Sequence, residues 1–506
     1  MRKYLYTALL SVFLLTGCSD DWFDINKDPN YLSELPNSNT LVPISEVNIA
    51  NTIMGWDMGF AGGYWSQYMA QNYNASQFKF LEEYSETEFS SAYNELTAGA
   101  LNDLKRIKAI AEEAEDNGSY LLAEALSIYV WQIITDTWGD VPYSEALKGD
   151  EGITSPKFDK GQDIYADLLK RVDALLAKDY SKASIAAKTD FIMGGDVAKW
   201  LQFTNSLKLK LMIRLSETTS YDNAKVLSFI KSANLLTATA KISGSVFENK
   251  DGKRHPMAEF DAGGANYLVT NVIASKTFLD YLKRNNDPRL NSIYVAPASG
   301  HQGAFQGDFD SDEDSDKDGT LDEKEEFSTM SFAFDMDIPL ISLWEVEFYQ
   351  AEVYARAGDH ANAKLHYENA VNASMAAHGL TNTITGEGGY AKWVDGTVEQ
   401  EIKQIAMQKW VAYAKYQHWE SFLERNRTKY PSVNEINIAA NRVSAMQDFP
   451  VGEFTISVKG RAKLQGNLPA SPIYPNEVLT RNTSSTKPTQ KSDVGQKIWW
   501  NVKAGK

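Results

Sequence analysis

The sequence predicts a mainly α protein in which tetratricopeptide-like helix pairs stack into one body that carries a loop-rich, short-strand face. Two observations carry most of that expectation: apolar residues that recur at steps of three and four, and a helix–Gly-Asp–helix unit. A third is the change of pattern between the periodic segments.

Ile164, Leu168, Val172, Leu175 and Leu176 share one helical face, and so do Trp200, Thr204, Leu207, Leu211 and Leu215. Residues 122–136 read as a further amphipathic run, closed by the turn Trp138-Gly139-Asp140-Val141-Pro142. The most regular piece spans residues 341–376. A helix through Trp344, Phe348, Ala351 and Ala355 stops at Gly358, which suits a left-handed cap, and Asp359 suits the N-cap of the next helix. Ala363, Tyr367 and Ala370 then repeat the small-aromatic-small spacing of the second half of a tetratricopeptide unit. One such pair cannot cover its own apolar face, so further pairs must stack on it. Residues 217–320 are richer in Gly, Asn, Asp and Ser and read as loops and short strands on one side. After Tyr430, the prolines 431, 450, 469, 472 and 475 exclude long helices.

With 506 residues, 43% of them apolar and 12% aromatic, the chain has material for a large core. Its net charge of −17 argues against a nucleic-acid partner, which requires clustered lysine and arginine. The acidity is local. Residues 308–326 hold eleven carboxylates against two lysines, more than half of the total excess.

The N-terminus accounts for the single cysteine. Arg2 and Lys3 precede an apolar run over residues 4–15, too short for the roughly 20 residues a membrane span needs, so it reads as a signal peptide. Leu15-Thr16-Gly17-Cys18 resembles a bacterial lipobox, which makes Cys18 the acylated first residue of the mature chain. Ser19-Asp20-Asp21 resembles the acidic tag that directs some lipoproteins to the outer face of the outer membrane. The expected organisation is a leader over 1–17, an acylated, extended tether over 18–42, and one helical domain over 43–506 with an acidic insertion at about 305–329.

Six segments in this order resemble the SusD/RagB family of outer-membrane lipoproteins, in its SusD-like branch. They are FDINKDPN (23–30), DTWGDVPYSEA (136–146), GGDVAKWLQFTNSLKLKLMIRLS (194–216), NDPRL (286–290), QKWVAYAKYQHWESFLERNRTKYP (408–431) and SPIYPNEVLTRN (471–482). The resemblance implies a right-handed superhelical body of four tetratricopeptide-like pairs. It also implies a non-enzymatic role: a lid that captures a glycan, or in some branches a peptide, and hands it to a SusC-type TonB-dependent transporter. The repeat helices would meet the transporter and the loop-rich face the ligand. Two features depart from the family pattern: Leu423-Glu424-Arg425-Asn426-Arg427 replaces its arginine pair, and the acidic insertion is not general to it. Trp138, Pro142, Tyr143, Trp200, Asn205 and Trp410 are expected to pack and turn the chain rather than to contact ligand.

Within the insertion, DSDKDGTLDEKE (314–325) matches the calcium-loop template at every position. Asp314, Asp316, Asp318, the Thr320 carbonyl, Asp322 and Glu325 supply oxygens at positions 1, 3, 5, 7, 9 and 12, with Gly319 at the sharp turn. Clustered carboxylates repel without a cation, so calcium is the expected cofactor, as a staple of modest affinity rather than a switch. Sugar binding calls for aromatic faces beside amides and carboxylates. The candidates are Tyr73, Asn74, Phe78 and Phe80, the pair Asn266-Tyr267, and Phe305, with Trp65 assigned to the core. The six histidines show no metalloprotease spacing, and no serine-nucleophile elbow or phosphate loop is present. The chain is therefore expected to bind oligosaccharide without cleaving it. A peptide ligand, or a repeat scaffold with only a protein partner, are the alternatives.

Overall fold

A computed structural model describes residues 38–73, 75–261, 267–308, 326–440, 445 and 449–506. The longer helices are α1 (Ser38–Ile53), α2 (Asn102–Glu113), α3 (Asn117–Trp138), α4 (Gly161–Leu176), α5 (Val197–Arg214), α6 (Asn223–Ile230), α7 (Lys276–Arg284), α8 (Leu343–Arg356), α9 (His360–Ala377), α10 (Val398–Tyr413) and α11 (His418–Thr428). Neighbours in sequence pack pairwise, α2 on α3, α4 on α5 and α8 on α9, which is the tetratricopeptide-like arrangement.

Local chemistry sets the helix ends. Asp116 accepts from the Gly118 and Ser119 amides to start α3, and Ser342 with Glu345 forms a capping box on α8. Gly358, at φ +71°, ends the pair's first helix in the left-handed region, and the Asp359 side chain accepts from the Asn362 amide to begin α9. Ala363, Tyr367 and Ala370 are buried and close a small core with Trp344, Phe348 and Trp393.

Three expectations change. Helix α3 is not amphipathic: nearly every residue of it is buried, because α2, α4 and α5 all pack around it. Residues 38–42, read as tether, open α1, since Leu41, Val42, Ile49 and Ala50 are core residues and that burial outweighs the turn signals before Pro43. Residues 217–320 contain α6 and α7 as well as loops. In α7, Phe278, Leu279 and Leu282 form a buried face too short for the periodicity to stand out.

The short strands are β1 (Met69–Gln71), β2 (Val141–Pro142), β3 (Phe158–Asp159), β4 (Ala240–Ile242), β5 (Val272–Ala274), β6 (Tyr294–Val295), β7 (Thr329–Met330) and β8 (Ile338–Ile341). One antiparallel sheet has the order β1-β5-β7-β6, with Met69 opposite Ala274; β2 pairs with β3, and β4 with β8. Beyond residue 430 the described chain is largely irregular and includes the short helix Asn476–Arg481.

A buried ionic network ties the long helices together. On α5, Arg214 reaches Asp136 of α3 at 2.9 Å and Glu424 of α11 at 2.7 Å, and also contacts Glu420. Lys210 bridges Glu345 of α8 and Glu420. Arg427 lies 2.7 Å from both Glu352 of α8 and Glu424, which also takes Lys409 of α10 at 2.7 Å. Removing one partner of such a pair strands a charge in low dielectric. Arg427→Met is therefore expected to lower unfolding stability by about 3–5 kcal/mol, read from urea denaturation, whereas loss of an exposed pair such as Lys160–Asp140 should cost under ~1 kcal/mol.

Candidate ligand-binding site

Two residues after α1 ends at Ile53, Gly55 caps a π-helical turn, Trp56–Phe60. A second π-helical turn, Glu95–Leu101, packs against α1. Such turns are rare and gather at functional sites, because the extra residue re-aims the side chains that follow. Here both turns border one cleft of about 650 Å³, lined by Ile44, Asn48, Asn51, Trp56, Asp57 and Glu95 among others.

Trp56 stands at the rim, 44% exposed. Its ring lies 5.0 Å from Phe78 and 5.3 Å from Phe260, and Phe260 lies 5.9 Å from Tyr267, which is 53% exposed. Phe60 and Phe78 stack at 4.6 Å beneath them, both fully buried. The result is an aromatic ledge with a buried foundation. Polar groups stand in the adjoining cleft. The Asp57 carboxylate accepts from the Ala92 amide at 2.8 Å, and burial, opposed by backbone hydrogen bonds, raises its pKa above the usual aspartate value. Asn48 and Asn51 lie one helical turn earlier. Ring faces beside amides and carboxylates suit a ligand with alternating C–H and hydroxyl surfaces.

The ledge is held from below by α11. Gly62 packs so closely on α11 that a Cβ there would sit 2.5 Å from the His418 carbonyl carbon. The Lys415 amide donates to His418 Nε2 at 3.1 Å, so Nδ1 carries the proton and donates to the Gly59 carbonyl, 2.9 Å away in the first π turn.

The sequence-derived candidates divide. Tyr267 is on the ledge. Phe78 is its buried foundation and exposes no face, because Phe60, Tyr64 and Phe260 surround it. Phe80 is partly buried against the main core. Tyr73 is buried edge-on to Phe327, and Phe305 is buried against Phe449, so both pack rather than face solvent. Trp65 is core, as expected, and so are Trp138, Trp200 and Trp410. Asn74, Asn266, the calcium-loop residues Asp314, Asp316, Asp318, Thr320, Asp322 and Glu325, and Cys18 lie outside the described residues. The sequence reading missed Trp56 and Phe260. The available signal was the bulky aromatic between Gly55 and Asp57 where α1 should stop.

A second cleft of about 590 Å³, near Tyr143, is more polar, but the charged groups at its centre satisfy one another. Arg171 pairs with Glu124 at 2.7 Å and donates to the Tyr143 hydroxyl at 2.8 Å, and Lys108 also pairs with Glu124. The aromatic ledge is the better candidate.

A SusD-like family model, described as starch-binding and associating with the outer membrane, matches residues 29–448. The chain belongs to the SusD-like family. Solved SusD homologues share its fold. One from Bacteroides uniformis is 21% identical with a TM-score of 0.70, covering 92% of this chain and 99% of that one. A chitin-binding SusD homologue from Flavobacterium johnsoniae is 17% identical with a TM-score of 0.70 and the same coverage. A structure described as a chitin-binding protein is 19% identical, with a TM-score of 0.69 over 92% of this chain and all of that one. No curated protein sequence matches. Among the described residues of this SusD-like chain, no helix is long and apolar enough to cross a membrane.

Burial lowers the His418 pKa from 6.5 to about 4, so the folded imidazole stays neutral while the unfolded one takes up a proton. This contribution to stability is therefore lost as pH falls from about 6.5 to about 4, by at most ~1.4 kcal/mol per pH unit. Urea midpoints measured across that window should fall less steeply for His418→Asn than for wild type.

Proposed function

We propose that this SusD-like chain is a cell-surface lipoprotein that captures an oligosaccharide on the Trp56–Phe260–Tyr267 ledge and delivers it to a SusC-type TonB-dependent transporter. The observation that carries the reading is the pair of half-exposed rings on a buried aromatic foundation, beside a cleft that offers Asn48, Asn51, Asp57 and Glu95. The family's description as starch-binding and outer-membrane associated supports it, and so do the two neighbours described as chitin-binding. Capture requires no bond cleavage, and a lipid on Cys18 would hold the protein at the membrane.

The test uses wild-type protein purified from outer membranes in detergent. It should begin at an acylated Cys18, carry the transporter with it, and bind chito- or malto-oligosaccharides in calorimetry without releasing reducing ends. Trp56→Ala and Tyr267→Ala should each weaken that binding about tenfold. Unchanged affinity in both variants would remove the ledge from the reading. Retention of oligopeptides in place of glycans would assign the scaffold to peptide capture, and transporter without either ligand would leave a protein-binding scaffold.

Residues 314–325 are proposed to bind calcium through the oxygens of Asp314, Asp316, Asp318, Thr320, Asp322 and Glu325. This donor set, all oxygen with glycine at the sixth position, fits a hard cation and orders an acidic insertion that would otherwise repel itself. Calcium calorimetry should show heat for wild type that Asp314→Ala/Asp318→Ala lacks; equal heats would sink the assignment.

A further inference from the structure

On the repeat body, away from the ledge, His360 opens α9 and Glu401 lies in the first turn of α10. His360 Nδ1 is 2.5 Å from Glu401 Oε1, and one donor atom each from His360, Glu401 and Asp395 falls within 4.8 Å of the others. Glu401 is fully buried, and its Oε2 has no hydrogen-bond partner. Its only ion-pair partner among the described residues is His360. A buried carboxylate that has one oxygen on an imidazole, the other bare, and a second carboxylate nearby is an incomplete arrangement for a protein interior.

The outer contacts complete the pattern. The Gly396 amide donates to Glu401 Oε1 at 3.1 Å, so this oxygen is fixed beside His360 Nδ1 while the carboxylate keeps unused capacity on Oε2. The Trp393 indole donates to Asp395 Oδ1 at 2.9 Å and orients that carboxylate. Such hydrogen bonds are the usual means by which a protein fixes metal-ligand orientation. His360 and Asp395 are both exposed at the surface, so an ion and a completing water can reach the site.

We propose that His360 Nδ1, Asp395 and Glu401 form a zinc site that clips the start of α9 to the start of α10. One imidazole and two carboxylates, with an open fourth position, suit Zn²⁺, whereas calcium and magnesium prefer all-oxygen sets. The cation replaces the His360–Glu401 hydrogen bond and balances the two carboxylates. Its role is structural, and it is independent of the acidic insertion and of the glycan reading.

The experiment uses the full chain with Cys18→Ser in every variant, which removes the only thiol. After chelator treatment and in saturating calcium, calorimetry with Zn²⁺ should show one equivalent bound, with a matching rise in thermal midpoint. His360→Ala should weaken binding at least ~10-fold, since removing an outer-shell partner alone costs about 10–100-fold. Substituting Co²⁺ should give visible absorption that the variant lacks. Because the His360 ring is part-exposed, the alanine variant keeps the fold, and circular dichroism checks this; Glu401→Gln serves as a second variant. Zinc affinity unchanged in His360→Ala, or no zinc binding by the parent, overturns the proposal.

Discussion

The ionic network among Arg214, Lys210, Arg427, Lys409 and their carboxylates is the constraint on which the rest of the architecture depends. Burial alone would raise the pKa of Glu352 and Glu424, but the adjacent Arg427 and Lys409 hold both well below the usual carboxylate range. Charges desolvated to this degree are tolerated only in good geometry, so the network penalises any sliding of α3, α5, α8, α10 and α11 past one another. Apolar packing alone penalises such shifts more gently. The consequence reaches the surface. Helix α11, pinned by Glu420, Glu424 and Arg427, presents His418 to Gly59 and packs against Gly62, and these contacts seat the π turn that carries Trp56.

The parts of this structure legible in the sequence are those written locally. Gly358 and Asp359 announced the break between α8 and α9, and Ala363, Tyr367 and Ala370 announced the seam, because cap chemistry and helical spacing act over a few residues. The buried character of α3 was not legible: Leu122, Leu126 and Ile133 fit a one-sided stripe, and neither Ser127 and Thr135 on the other side nor the charge of Asp136 beside the stripe gave a sign that partners would cover them. Ser127 and Thr135 are buried, and Asp136 is neutralised by Arg214 from another helix.

The ledge was legible only in part, for a different reason. Tyr267 stood out because it sits beside Asn266 in a segment that read as loop. Trp56 and Phe260 lie far apart in sequence, and the contact that makes them one surface is tertiary. Phe78 looked equivalent to Tyr267 by composition. Exposure separates them: one ring is foundation and the other is rim.

That division between rim and foundation bears on how capture could work. A ring that must be ordered on binding loses conformational freedom at that moment, whereas one fixed beforehand does not. Trp56 is in contact with Phe60, Phe78 and Phe260, so its orientation is set when the core folds. The cost of order is then carried by folding, and the network that seats α11 helps to offset it. At the same time the ledge is open, and an open ledge leaves one face of a ligand in water. On the proposed reading this combination is what a delivery protein needs: recognition without a large ordering cost, and contacts shallow enough that a transporter can take the ligand over. A deep closed pocket would recognise as well but release slowly, because differences in affinity between related complexes lie mostly in the rate of dissociation.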